Sequence, residues 1–280
     1  SAGGWLVTGW GYHDVGAAGV VHMISGFFAL GVLINLGPRV GRFNSDGSAN
    51  DLSGHSVPMT IAGLMIIIIG FFGFLGACLL YPSPGVSLTS ADAGWLTIYG
   101  TPTTLSAFAF NTLMSFGGGI IGAYFITKDP FWMMSGALAG IFCAAAGLDM
   151  WYPGTAFALG FLGGVVIPYS HKMITSWGID DAVGAVSVHG TCGLIGVLAV
   201  GVLLGGYPSA VDGIPAISFT GQLVGAIAMG LLGFIPGYVV SWILKQCGIL
   251  RVSDAVQQVG VDSEVPVGAY PETLQSRDYS

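Results

Sequence analysis

The stretch DAVGAVSVHGTCGLIGVLAVGVLLGG, residues 181–206, carries an acid at its start, a histidine eight residues later, and no further charged side chain. About 20 such residues suffice for a helix to cross roughly 30 Å of hydrocarbon. An ionisable ring inside such a run is costly and is by default a functional candidate. Near the start of the chain, DVGAAGVVHMISG, residues 14–26, repeats the arrangement: His22 lies eight residues past Asp14, as His189 lies eight past Asp181. Aligned on the histidine, the two stretches also share Ala18 with Ala185, Val21 with Val188 and Gly26 with Gly193. Those residue types are common in this chain, so the doubled Asp-to-His spacing carries the weight.

The rest of the chain is built of similar runs. Of its 280 residues 53% are hydrophobic and 8% charged, against about a quarter charged in soluble domains, which excludes a soluble protein. Cutting the sequence at its charges leaves seven long uncharged stretches: 15–38, 52–91, 93–127, 130–148, 150–171, 182–211 and 213–244. None shows the alternation of a transmembrane β-strand. The expectation is an all-α membrane protein, a bundle with spans at 15–38, 57–80, 102–126, 130–148, 153–171, 182–205 and 217–244. Its 47 glycines suit close helix approach in a membrane, with Gly160 and Gly164 or Gly117 to Gly119 as examples.

Arg39, Arg42, Lys128, Lys172, Lys245, Arg251 and Arg277 all fall on one side of this arrangement. The positive-inside rule then puts the N-terminus outside and the tail, 251–280, in the cytoplasm or its equivalent, with 1–250 as the transmembrane domain. The host is expected to be a plasma or inner membrane, an organelle inner membrane being the other option. The net charge of -7 bears little on topology, and nothing points to nucleic acid. Cys78, Cys143, Cys192 and Cys247 show no CxxC spacing, so neither a disulfide framework nor a zinc site is expected. The chain starts at Ser1 almost directly before its first span, which suggests a processed or partial chain.

In this topology the first span enters from outside and the sixth from inside, so the two Asp-to-His elements are antiparallel, as in an inverted repeat. Eight helical residues rise about 12 Å, which brings both histidines to similar depth. They are expected to line one pathway. The other readings are neutral histidines bonded between helices and a bis-histidine haem site. Asp14 and Asp181 read as helix caps, and Asp14, near the outer mouth, would also favour a cation there. In the IIIIGFFGFLGACLL run, Phe71, Phe72 and Phe74 are lipid-facing or packing residues, unless one faces the lumen and holds a cation by its ring. His55, in an inner loop, reads as structural. His13 and His171 lie at span ends, where interfacial water is expected to solvate them.

The elements DVGAAGVVH, LGPRVGRF followed by GHSVP, GFFGF, SGALAG, DDAVGAVSVHG, and LRVS with GVD and AY near the end occur in the order found in the ammonium transporter and Rhesus protein family (Amt/Mep/Rh), which the chain resembles over almost its whole length. The resemblance covers helices 5–11 of that family's eleven-helix fold with inverted repeats. It implies a trimer with a pore in each protomer, no enzymatic activity and no cofactor. It places the twin pore histidines on His22 and His189, the acid required before the first on Asp14, and one outer-gate aromatic on Phe74. It departs from the family pattern at Leu75 and Cys78, which lose an amide and a hydroxyl near the mouth, and at Gly184, where an acid is common. The implied function is ammonium transport or ammonia conduction, with desolvation keeping the histidines neutral and a separate chain supplying the first helices. The alternative is a non-conducting structural or ammonium-sensing subunit derived from such a transporter.

Overall fold

Three of the long helices begin on a side-chain cap that satisfies their first free N–H groups: Thr104 accepts from Ala107, Asp129 from Trp132, and Ser218 from Gly221. The structure, a computed structural model, describes residues 4–52, 54–80, 92–96, 102–208 and 213–260. A short helix α1 (Trp5–Trp10) leads through a linker into a π-helical turn (Ala18–Met23) and α2 (Ile24–Leu36). Then follow α3 (Val57–Leu80), strands β1 (Asp92–Leu96) and β2 (Pro102–Thr104), α4 (Leu105–Thr127), and α5 (Pro130–Ala144) with a 3₁₀ turn (Ala145–Gly147). The chain continues through α6 (Pro153–Ser176), a second π-helical turn (Val186–Thr191), α7 (Cys192–Leu203), α8 (Phe219–Gln246) and a short α9 (Asp254–Val259). Among the described residues seven helical segments are long and apolar enough to cross a membrane. Residues 102–104 are not helical at the start of the third span: they pair antiparallel with β1, in keeping with the β preference of threonine and the missing N–H of proline.

Glycines set the packing. On α4, a methyl group at Gly119 would overlap the Gly136 carbonyl of α5, and one at Gly118 the Phe157 carbonyl of α6. Gly164 of α6 lies in turn against the Gly119 carbonyl. A second seam joins α2 to α8, where Gly233 and Gly237 lie on the carbonyls of Ile24 and Phe28. It is fixed by Asn35, whose amide donates to the Tyr238 carbonyl and the Ser241 hydroxyl, both at 2.9 Å. Helix α3 lies outside these seams and leaves Met59, Ile66 and Ile69 largely exposed, as an apolar helix facing lipid does.

At one end of the bundle Arg39 grips Asp180 through Nε (2.7 Å), Nη2 (2.8 Å) and its backbone N–H (3.0 Å), and Arg42 stands 3.2 Å from the same carboxylate. Burial raises the Asp180 carboxyl, but the Arg39 hydrogen bonds and charge outweigh it and hold the group below the usual range. Arg251 donates to the carbonyls of Leu36, Gly37 and Pro38, capping the C-terminus of α2. The expectation for residues 261–280 lies outside the described residues.

The glycine triplet separates used from unused small residues. Among the described residues nothing stands within 4 Å of a methyl group placed on Gly117, so Gly117→Ala should leave the melting temperature of the detergent-solubilised protein unchanged or slightly raised. Gly119→Ala should lower it, by an overpacking cost of about 1–3 kcal/mol. Thermal unfolding of the two variants side by side checks this.

Candidate functional site

The two Asp-to-His elements fold alike. The Asp14 carboxylate accepts from the N–H groups of Gly19 and Val20, both at 2.9 Å, and from the Tyr12 hydroxyl at 3.1 Å. Asp181 accepts from Ala185 and Val186, both at 2.8 Å. Three residues past each acid the backbone turns left-handed, at Ala17 (φ 66°) and at Gly184 (φ 74°). A π-helical turn then follows, and it carries the histidine. Left-handed backbone suits glycine and is uncommon for alanine. At Gly184 an added methyl group would also stand 3.2 Å from the Trp132 ring. Gly184, which the family pattern reads as a lost acid, thus has a conformational reason of its own. Burial pushes the Asp14 carboxyl up, against the N–H bonds that lower it, and its Oδ1 is buried with no partner among the described residues.

The structure brings the two histidines together. His22 Nδ1 and His189 Nδ1 are 3.3 Å apart, so one ring donates and the other accepts. The glycines that the two stretches share make this possible. A methyl group on Gly26 would overlap the Gly190 backbone, and one on Gly193 would meet the Ala18 carbonyl at 2.6 Å. His22 is 4% exposed and its Nε2 is buried without a partner among the described residues. A separation of 3.3 Å leaves no space for a metal-centred macrocycle between the rings, so the haem reading fails on geometry.

Aromatic rings surround the pair. Phe74 lies edge-on to His22 at 6.0 Å between centroids, Phe71 is tilted at 5.7 Å, and Phe142 is stacked on it at 3.6 Å. Phe72 turns away toward Phe116. Sequence reasoning missed Phe142; the available signal was a lone ring among the small residues of SGALAGIFCAAAG. Asp14 and Asp181 stay at the starts of their own turns, His55 is exposed in the loop before α3, and His171 packs on Trp132 at 5.0 Å. All four cysteines are free thiols.

The model of the Ammonium Transporter Family matches residues 1–265. Ammonium transporter Amt2 of Methanocaldococcus jannaschii is 33% identical over 264 residues, which cover 93% of this chain and 57% of that protein. Amt1 of the same organism is 30% identical over 265 residues, covering 94% and 62%. A solved structure described as Sensor Amt Protein superposes with a TM-score of 0.77 at 29% identity, over 95% of this chain and 62% of that one. Nitrosomonas europaea Rh50 shares the fold, with a TM-score of 0.66 at 20% identity. The chain therefore spans about three-fifths of the length of the relatives it matches.

His13 departs from the solvated position that its place in the sequence suggests. It is 4% exposed, with Nε2 3.1 Å from Asp149 Oδ1. Its backbone N–H donates to Gln222 Oε1 at 2.7 Å, and its carbonyl accepts from Gln222 Nε2 at 2.9 Å. Val15 and Gly16 donate to the carbonyls of Ala146 and Ala145. The linker presenting Asp14 is thus clamped to the α5–α6 corner and to α8. Burial lowers the affinity of the His13 ring for a proton, but the Asp149 charge and hydrogen bond raise it further, and the net shift is upward.

A histidine whose folded value lies above its unfolded value of about 6.5 contributes stability that is complete below that value and lost as pH rises through the folded one. The melting temperature should therefore fall as pH is raised across neutrality. Asp149→Asn should flatten that slope and lower the melting temperature most at acidic pH, where the native pair is fully protonated on His13. Thermal unfolding in detergent at several pH values measures both.

Proposed function

Because this chain belongs to the ammonium transporter family, we propose that it carries the deprotonation and conduction centre of an ammonium transporter, with His22 and His189 lining the path of ammonia. The observation that supports this reading is the buried pair at 3.3 Å, ringed by phenylalanines and with one ring nitrogen unpartnered. Taking an intact ammonium ion into an apolar passage costs tens of kcal/mol before compensation, whereas neutral ammonia enters far more cheaply. A site at the mouth that holds the cation, with Asp14 behind it and the Phe74 ring beside it, therefore precedes a step in which the proton is given up. The imidazoles, each with one donor and one acceptor nitrogen, then hydrogen-bond ammonia and hand protons along the pair.

Beside the pair, Val20, Val21 and Phe74 are 46%, 37% and 36% exposed. On this reading further helices, carried by a separate chain, cover that flank and complete the passage, and the protomers associate as a trimer. The convergence of Arg39, Arg42 and Arg251 at one end supports a cytoplasmic inner face there and an outer N-terminus.

A second reading, a non-conducting sensing or structural subunit, is favoured by the ring of Phe142 lying across the pair. Flux separates the two. The native assembly in liposomes should show saturable ammonium uptake, reduced at least tenfold or made unselective by His22→Ala and by His189→Ala. Uptake that is unchanged in both variants removes the histidine mechanism; ammonium binding without uptake in the native assembly selects the second reading.

A further inference from the structure

Phe142 stands on α5 with its side chain fully buried. Its ring is stacked on His22, with centroids 3.6 Å apart and planes at 22°, and it leans over His189 at 4.6 Å and 33°. The imidazoles themselves are 5.4 Å apart at 38°. One phenyl ring thus covers a face of both. Its backbone has little freedom to withdraw. A methyl group on Gly196 of α7 would overlap the Phe142 carbonyl, and two residues earlier Gly140 is pressed against Ser115 and Gly119 of α4. On its remaining flank the Phe142 ring meets Phe71 at 5.6 Å.

We propose that Phe142 is a positioning and size-selecting residue of the histidine pair. This rests on the reading that ammonia passes the pair, and it adds a role for a side chain outside that mechanism. An imidazole lying 3.6 Å from a nearly parallel ring does not turn about its Cβ–Cγ bond without sweeping through the phenyl group. The Nδ1–Nδ1 contact is therefore held in one orientation, and His22 Nε2 keeps a fixed direction. The same ring takes up the space beside the pair. Ammonia fits against the remaining ring edge, while a solute with one added methyl group competes with Phe142 for that volume.

Two measurements test this in the native assembly reconstituted into liposomes. Methylammonium and ammonium uptake are compared for the native protein, Phe142→Ala and Phe142→Leu, the leucine variant keeping an apolar side chain of similar length so that folding is preserved. The methylammonium-to-ammonium ratio should rise several-fold in the alanine variant. Independently, solid-state NMR on histidine labelled with ¹⁵N should show coupling across the Nδ1–Nδ1 hydrogen bond in the native protein and its loss in Phe142→Leu, with thermal stability retained. Coupling that persists in both variants together with an unchanged uptake ratio overturns the proposal. Coupling lost in Phe142→Leu while the native protein moves neither solute supports the positioning role and removes the transport reading.

Discussion

The site depends on a backbone crossing without side chains. Where α2 passes the second π-helical turn, Gly26 faces Gly190, and Gly193 lies on the first turn at Ala18 and Met23. Only at such a distance do two imidazoles, one from each of these strands of the fold, reach a nitrogen contact of 3.3 Å. In hydrocarbon no hydrophobic force drives helices together, so association rests on close van der Waals packing and on hydrogen bonds between helices. The glycines supply the first, and the histidine pair is one of the second. A methyl group at either crossing glycine would push the rings apart.

Starting a helix where neighbouring segments exclude water leaves backbone N–H groups without a partner, and each unsatisfied buried group is expensive. Asp14 and Asp181 answer this by accepting two such groups each. The left-handed residue between acid and turn then redirects the chain so that the carboxylate reaches back over the helix start. In the π-helical geometry that follows, the ladder is looser than in an α-helix, a feature that is frequent where function needs an unusual side-chain direction. The eight-residue spacing is thus the length of one mechanical unit: acid, left-handed turn, capped π turn, histidine. Each copy is held from outside the unit at its acid end, by His13 on Asp149 and Gln222 at the first, and by the Arg39 and Arg42 grip on the neighbouring Asp180 at the second.

Much of this was legible in the sequence because it is written locally. Charge-free runs give the helices, and the repeated Asp-to-His spacing marks the two units and their opposite directions. The shared Gly26 and Gly193 looked uninformative in a chain with 47 glycines, yet they are the crossing points. Composition does not say which glycine faces a neighbour: Gly118 and Gly119 do, Gly117 does not. His13 departs from its expected solvated position for a related reason. Its partner Asp149 is 136 residues away, and no local pattern announces a pairing that only the α5–α6 corner creates. Phe142 was hidden because a ring in an apolar helix is ordinary until the fold stacks it on an imidazole.

The arrangement constrains the chemistry in a way that the histidines alone do not. Two imidazoles free to rotate would solvate a passing solute in many geometries and would favour water as readily as ammonia. Here one face of each ring is occupied by Phe142, and their Nδ1 atoms are spent on one another. What remains for a solute at His22 is Nε2, a single nitrogen in an apolar surround formed by Phe71, Phe74 and Phe142. Such a position offers one hydrogen bond and otherwise only dispersion contacts. On the proposed reading it suits a small neutral amine and penalises any species that needs a full hydration shell, so that an ammonium ion would give up its proton before entry.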